Sequence, residues 1–150
     1  LLNSAFRPRA IDAMASAIAI VVDGLIDRIA AKADQAGQGR CDLIADFAYP
    51  LPATVIAGIL GVPLADVDRF KDWSDDLAAF VGGAQAMSDK YERAARGIAE
   101  MEAYFRDLIE RHRQSGRTDD LLGDLIAAQE REGRLDGDEL VATAILILFA

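Results

Sequence analysis

The sequence predicts an all-α protein, and three observations carry that prediction. Apolar residues recur at spacings of three and four through most of the chain, which gathers them on one face of a helix. No stretch alternates apolar and polar residues with the period of two that a half-buried strand shows. Glycines at Gly37 and Gly39, Gly61 with Pro63, Gly82 and Gly83, Gly116 and Gly133 divide the periodic stretches, where they act as stops.

The first helix is expected over Arg9 to Ala36. Ile11, Met14/Ala15, Ile18, Val22, Leu25 and Ile29 form its apolar stripe, and Asp12, Ser16, Asp23 and Asp27 take the other face. Pro8 suits a position before or at the first turn. The next segment, DLIADFAYPLPATVIAGILGVP, is apolar nearly all round and predicts a buried helix with Asp42 or Asp46 as its cap. Pro50 and Pro52 belong near its start or kink it, because an interior proline loses a backbone hydrogen bond. A third helix follows over Leu64 to Val81, carrying Val67, Phe70, Trp73, Leu77 and Phe80.

A fourth helix is expected over Gln85 to Gln114. Its stripe is Ala94, Ile98, Met101, Phe105 and Leu108, with Glu100, Arg106, Glu110 and Arg111 outside. Asp119 to Glu130 reads as a short helix, and EREGRL as a turn about Gly133. The last helix starts near Asp136, where DGDE offers acidic groups to its positive end. No internal repeat or low-complexity stretch interrupts this order.

Composition excludes several function classes. The chain has 150 residues, the length of one domain, and 52% of them are hydrophobic, so a packed core is within reach and disorder is not expected. A net charge of −9 without clustered Lys and Arg argues against nucleic acid and against an anionic membrane surface. The single cysteine, Cys41, permits no internal disulfide and fits a reducing compartment. No leader pattern opens the chain, and its longest apolar stretch, Leu140 to Ala150, is shorter than the ~20 residues that span a bilayer. The expected protein is acidic, soluble and cytoplasmic.

Single residues name no reaction. His112 is the only histidine, so a multi-histidine metal site is impossible, and its place in the last turn of a charged helix predicts a surface position suited to the helix dipole. Cys41 lies beside Arg40 in a linker without a visible base, and reads as an incidental thiol. Asp75/Asp76 and Asp119/Asp120 read as solvated or capping pairs. No phosphate-binding glycine loop follows a strand.

The order and spacing of longer blocks say more. GRTDDLLGDLIAAQEREGRLDGDELVATAILILFA, Gly116 to Ala150, resembles the stretch joining helices G, H and I of soluble bacterial cytochrome P450 enzymes, with the family's D-D-L-L, L-I-A-A, L-x-x-x-E-L and L-F-A pieces in place. LLNSAFRPRAI resembles the end of the family's helix C and its passage into D, and DLIADFAYPLPATVIAGILGVP resembles the helix E region. The blocks stand in family order with family-like gaps, so the resemblance covers essentially the whole chain.

The resemblance implies a partial cytochrome P450 domain over residues 1–150: helices D to H and the start of I, within a larger, mainly helical fold. It implies a heme cofactor (iron protoporphyrin IX) whose cysteine ligand lies outside this chain, since Cys41 has neither the family's Gly- and Phe-rich loop nor its position. The family's E-x-x-R of helix K and H-x-x-x-R of helix C are missing as well, so these residues alone are expected to be inactive. In the family the L-F-A run continues as G-x-x-T/S at the kinked centre of helix I. Ala150 and Leu146 would therefore approach the heme, and Phe149 the substrate. Leu77, Phe80 and Val81, at the end of an F-like helix, would roof the substrate pocket, although apolar residues at helical spacing are more often core. The implied activity is insertion of one oxygen atom from O2 into a small organic substrate, with electrons from a ferredoxin or similar donor. Two rivals remain open: a heme-free helical binding or dimerisation module that hides AILILFA in an interface, and a regulator's ligand-binding domain, which lacks a helix-turn-helix before it.

Overall fold

The computed structural model describes residues 8–36, 40–81, 88–133 and 135–149, and among them every regular element is helical. The chain divides into two compact units, the first ending at Ile56 and the second beginning at Ala57.

The first unit holds α1, Pro8–Ala36. Its expected stripe is visible in burial: Leu25 is 1% exposed, while Met14, Ile18, Val22 and Ile29 are half-buried and Ser16, Asp23 and Asp27 face solvent. The side chains of Ile11 and Asp12 lie outside the described residues. After α1 the chain enters a wide helical turn, Ile44–Ala48, and then α2, Pro50–Ile59. The single helix expected over residues 42–63 is thus two pieces. Pro50 and Pro52 have no N–H to offer the carbonyls four residues back, and the Pro50 ring would crowd that of Asp46. The ladder widens instead, and the Tyr49 N–H donates to the Ile44 carbonyl, five residues back, at 3.0 Å. Both candidate caps are used. Asp42 Oδ1 accepts the N–H groups of Ile44 and Ala45 at 3.0 and 3.1 Å. Asp46 accepts the Asp42 N–H at 2.9 Å and the Lys32 ammonium at 2.7 Å, which ties the turn to α1. Nor is the segment buried throughout: Leu43 and Ile44 are 64% and 74% exposed.

The second unit opens on the end of α2. Gly61 takes φ +67°, the Val62 N–H reaches the Ala57 carbonyl at 2.8 Å, and the Gly61 N–H reaches that of Gly58 at 3.2 Å. This is the glycine stop that the sequence announced, with both bonds of a Schellman motif. A short turn at Leu64–Asp66 leads into α3, Val67–Val81, which packs along α4, Lys90–Ser115. Phe70 stands edge-on to Trp73 and to Tyr104, each at 5.2 Å between ring centres, the geometry that aromatic quadrupoles favour. Polar tips at this seam are paired: Trp73 Nε1 donates to Glu100 at 2.8 Å, and the Tyr104 hydroxyl to Asp66 at 2.8 Å. Burial, and then the bond to Asp66, push the Tyr104 phenol well above its ordinary range.

The α4 stripe is as expected at Ala94, Met101, Phe105 and Leu108, all buried. It differs at Ile98, which is 40% exposed, while Gly97 takes the inner position. The close crossing of α3 explains this, because a Cβ on Gly97 would already touch Asp76 Cβ at 3.7 Å and the Trp73 carbonyl at 3.8 Å. Those are ordinary contact distances, so the helices already meet at this position, and the longer branches of an isoleucine would have to displace one of them. Asp76, expected to be solvated or capping, instead receives two N–H groups of Arg93 at 2.8 and 2.6 Å across that crossing.

Gly116, at φ +65°, ends α4, and α5, Leu121–Glu132, follows with Asp120 as its N-cap. Gly133, at φ +60°, closes α5. α6, Gly137–Phe149, starts at a capping box: Asp136 Oδ1 accepts the Glu139 N–H at 2.8 Å while Glu139 Oε2 accepts the Asp136 N–H at 2.9 Å. Helix α6 packs on α4 and α5 through Leu140, Val141, Ala144 and Ile147. Full burial of each large side chain in this core stabilises the unit by about 1.5–3 kcal/mol.

Candidate functional site

Helix α6 is apolar on nearly every side, yet only one side is covered. Opposite the buried residues, Ala142, Leu146 and Phe149 recur at spacings of four and three and so share one edge. That edge is open, with Leu146 63% and Phe149 37% exposed. Ala150 lies outside the described residues. Among the described residues the result is an apolar rail backed by α4 and α5. It offers no proton donor or nucleophile, only shape and dryness to a ligand laid against it.

The second candidate group sits at the end of α3. Leu77 is half-buried, Phe80 is 43% exposed and Val81 78% exposed. Phe80 stands edge-on to Tyr91 at 5.6 Å, which braces the end of α3 against the start of α4. The two groups are not joined: α3 packs on α4 and α4 on α6, with no substantial packing between α3 and α6 among the described residues.

No ligating centre stands beside either group. Among the described residues no three His, Cys, Asp or Glu side chains gather as a metal site. Cys41 is exposed, between the exposed Arg40 and Asp42.

His112 corrects the sequence reading. It is 4% exposed rather than at the surface. Nδ1 stands 3.0 Å from the Leu108 carbonyl, one turn back, and Nε2 3.0 Å from Asp120 Oδ2. Asp120 in turn caps α5 through the Gly123 N–H at 2.9 Å. The turn at Gly61 covers the pair so closely that a Cβ there would lie 2.0 Å from Asp120 Oδ2 and 2.9 Å from His112 Nε2. The helix dipole argument placed the histidine at the right end of α4, but it could not show that a third segment, distant in sequence, seals it from water. Asp119 does remain exposed, and the Arg117 guanidinium beside it, through their hydrogen bond, holds its carboxyl below the ordinary range. The expected capping role holds for Asp120, which caps α5, while its burial against His112 depends on segments that sequence spacing does not bring together.

No family model matches the chain. Across 150 residues, all of this chain, it is 36% identical to the mycinamicin IV hydroxylase/epoxidase of Micromonospora griseorubida, of which it covers 35%. Across 152 residues it is also 36% identical to cytochrome P450 monooxygenase PikC of Streptomyces venezuelae, of which it covers 33%. In three dimensions it is similar to CYP109E1 from Bacillus megaterium, solved in complex with testosterone, with a TM-score of 0.83, 33% identity, and coverage of 99% of this chain and 37% of that one. The chain spans about a third of the length of the curated relatives it matches. No described helix is long and apolar enough to cross a membrane.

Proposed function

We propose, since the chain corresponds over its whole length to the cytochrome P450 segment from the end of helix C to the first half of helix I, that it serves in a heme-thiolate monooxygenase. The reaction is insertion of one oxygen atom from O2 into a small organic substrate. Electrons come from a ferredoxin or a similar donor. Support comes from relatives named as a hydroxylase/epoxidase and as a monooxygenase. Neither of these names points to a heme-free module or a regulator domain.

One observation carries the assignment of the site. Helix α6 buries Leu140, Val141, Ala144 and Ile147 behind it and leaves Leu146 and Phe149 open. An apolar rail of this kind fits the face of a flat, largely apolar macrocycle, so Leu146 with Ala150 would bound the heme and Phe149 the substrate beside it. Leu77, Phe80 and Val81 would roof the substrate from the end of α3. The residues present do not fit the iron itself, because the one cysteine, Cys41, is exposed between the exposed Arg40 and Asp42; the thiolate ligand lies outside these 150 residues.

When bound, the heme iron with its thiolate supplies oxygen activation. The residues of this chain contribute surfaces. Leu146 and Phe149 exclude water from the reacting side and restrict the poses open to an apolar substrate, the part of catalysis that positioning supplies. Incubating the full-length protein with ¹⁸O2, reduced ferredoxin and a substrate found by its spin-state shift tests the proposal. One labelled oxygen per product molecule is expected. A product whose added oxygen is unlabelled, and so comes from water, contradicts it.

A further inference from the structure

The corner between α4 and α5 holds buried polar side chains for which the proposed chemistry has no use. A strap, residues 116–120, crosses from one helix to the other, and Gly116, Arg117, Thr118 and Asp119 are all exposed. Its underside is tight against α5: a Cβ on Gly123 would lie 2.6 Å from the Arg117 carbonyl oxygen and 2.8 Å from Thr118 Cα. Only glycine permits that approach.

Within the strap Asp120 alone reaches the interior, where its side chain is 3% exposed. Its carboxylate accepts the Gly123 N–H on Oδ1 at 2.9 Å, while Oδ2 stands 3.0 Å from His112 Nε2 and, as an ion pair, 3.0 Å from Arg117 Nε, whose N–H donates to Asp119. The last two differ in what they hold. Arg117 belongs to the strap and is half exposed, so its bond travels with the strap when the strap moves. His112 belongs to α4, and its other nitrogen is fixed on the Leu108 carbonyl at 3.0 Å, so the ring cannot turn to follow.

We propose that the strap is a latch that opens locally, independently of the α4 core, and that the bond from His112 to Asp120 sets how often it opens. Segments with few buried apolar contacts open at lower free energy than the core that carries them, and the strap contributes no buried apolar side chain. The Gly116 and Arg117 N–H groups close the end of α4 on the Arg113 and His112 carbonyls at 3.4 and 3.3 Å; beyond them the strap is held by the contacts of the Asp120 carboxylate and by one glycine-sized gap. The opened state frees the first turn of α5, where the Asp124 N–H bonds to the Asp120 carbonyl at 3.1 Å.

Amide hydrogen exchange on the full-length protein reads this directly. In the wild type Gly123 and Asp124 are expected to exchange about tenfold or more faster than Met101 to Phe105, and His112→Leu to speed them by about a further tenfold, the equivalent of ~1.4 kcal/mol in the opening equilibrium, with Met101 to Phe105 still the slower set. Gly123→Ala lifts the strap from the opposite side with His112 intact, and the same local pattern is expected. This second variant decides the matter should His112→Leu fail to fold. Trypsin cleavage after Arg117 should rise in parallel. Gly123 and Asp124 exchanging as slowly as Met101 to Phe105 in the wild type, or staying unchanged in a folded variant, overturns the proposal.

Discussion

His112 Nε2 stands 3.0 Å from Asp120 Oδ2, and each side chain is only 3% exposed. Eight residues separate them in sequence, one at the end of α4 and the other at the start of α5. Between the two lies the strap that turns the chain. A buried polar pair of this kind matters less for its net gain than for what either member costs when left alone, because neither can be resolvated in place.

Truncating one partner should therefore be severe. His112→Ala and Asp120→Ala are each expected to lower the unfolding free energy by about 3 kcal/mol or more. The double variant should cost clearly less than the two singles summed. Urea denaturation of the four proteins measures the coupling, and strict additivity would mean that the pair does not act as one.

Gly61 and Gly133 allow a comparison between strain and collision. Both have positive φ, +67° and +60°, so alanine at either position carries a backbone cost of about 1 kcal/mol. Only at Gly61 would the new Cβ meet the Asp120 carboxylate at 2.0 Å, whereas nothing lies within 4 Å at Gly133. Gly61→Ala should thus cost roughly 1–3 kcal/mol more than Gly133→Ala. Equal melting shifts would show that the turn at Gly61 does not press on the pair.

The two faces of α6 should answer differently to the same substitution. Leu140 is 0% exposed, and Leu140→Ala is expected to cost about 2–5 kcal/mol. Leu146 is 63% exposed, so Leu146→Ala should change the stability of this chain by less than about 0.5 kcal/mol. In the heme-loaded full-length protein the same Leu146→Ala should instead alter substrate affinity and product distribution. A Leu146→Ala protein with unchanged substrate spectra would remove this residue from the site.

The tie between Lys32 and Asp46 predicts a pH dependence with a definite sign. The hydrogen bond from Lys32, then the Asp42 N–H, holds the Asp46 carboxyl below its ordinary value. A carboxyl depressed in the folded state contributes stability above its unfolded value of ~3.9, and that contribution is lost as pH falls through the folded value. Lys32 is raised by the same bond, so its share persists below ~10.4 and fades as pH rises through its folded value. Both groups touch solvent, and the effect is small and salt-sensitive. Thermal melts of wild type and Lys32→Met should differ near neutral pH and converge at strongly acid pH; a constant difference down to pH ~2.5 would contradict the pairing.

Periodicity and glycine stops made most of the helical order legible. The first helix was expected over Arg9 to Ala36 and runs Pro8–Ala36, and the stops at Gly61, Gly116 and Gly133 each adopt positive φ. These features are local, written within one turn of chain. Two others depend on what arrives from elsewhere. Gly97 rather than Ile98 faces α3 where the two helices cross, and His112 is buried by segments on either side of it in sequence. At the site, Leu146 and Phe149 were legible as apolar. That they form an open edge follows only from which side of α6 its neighbours cover.

The most direct measurement is the absorption spectrum of the full-length protein, reduced with dithionite and exposed to carbon monoxide. A strongly red-shifted Soret band, the mark of thiolate-ligated heme, is the predicted result. Heme bound without that shift, or no heme at all, would contradict the assignment of this chain to a heme-thiolate monooxygenase.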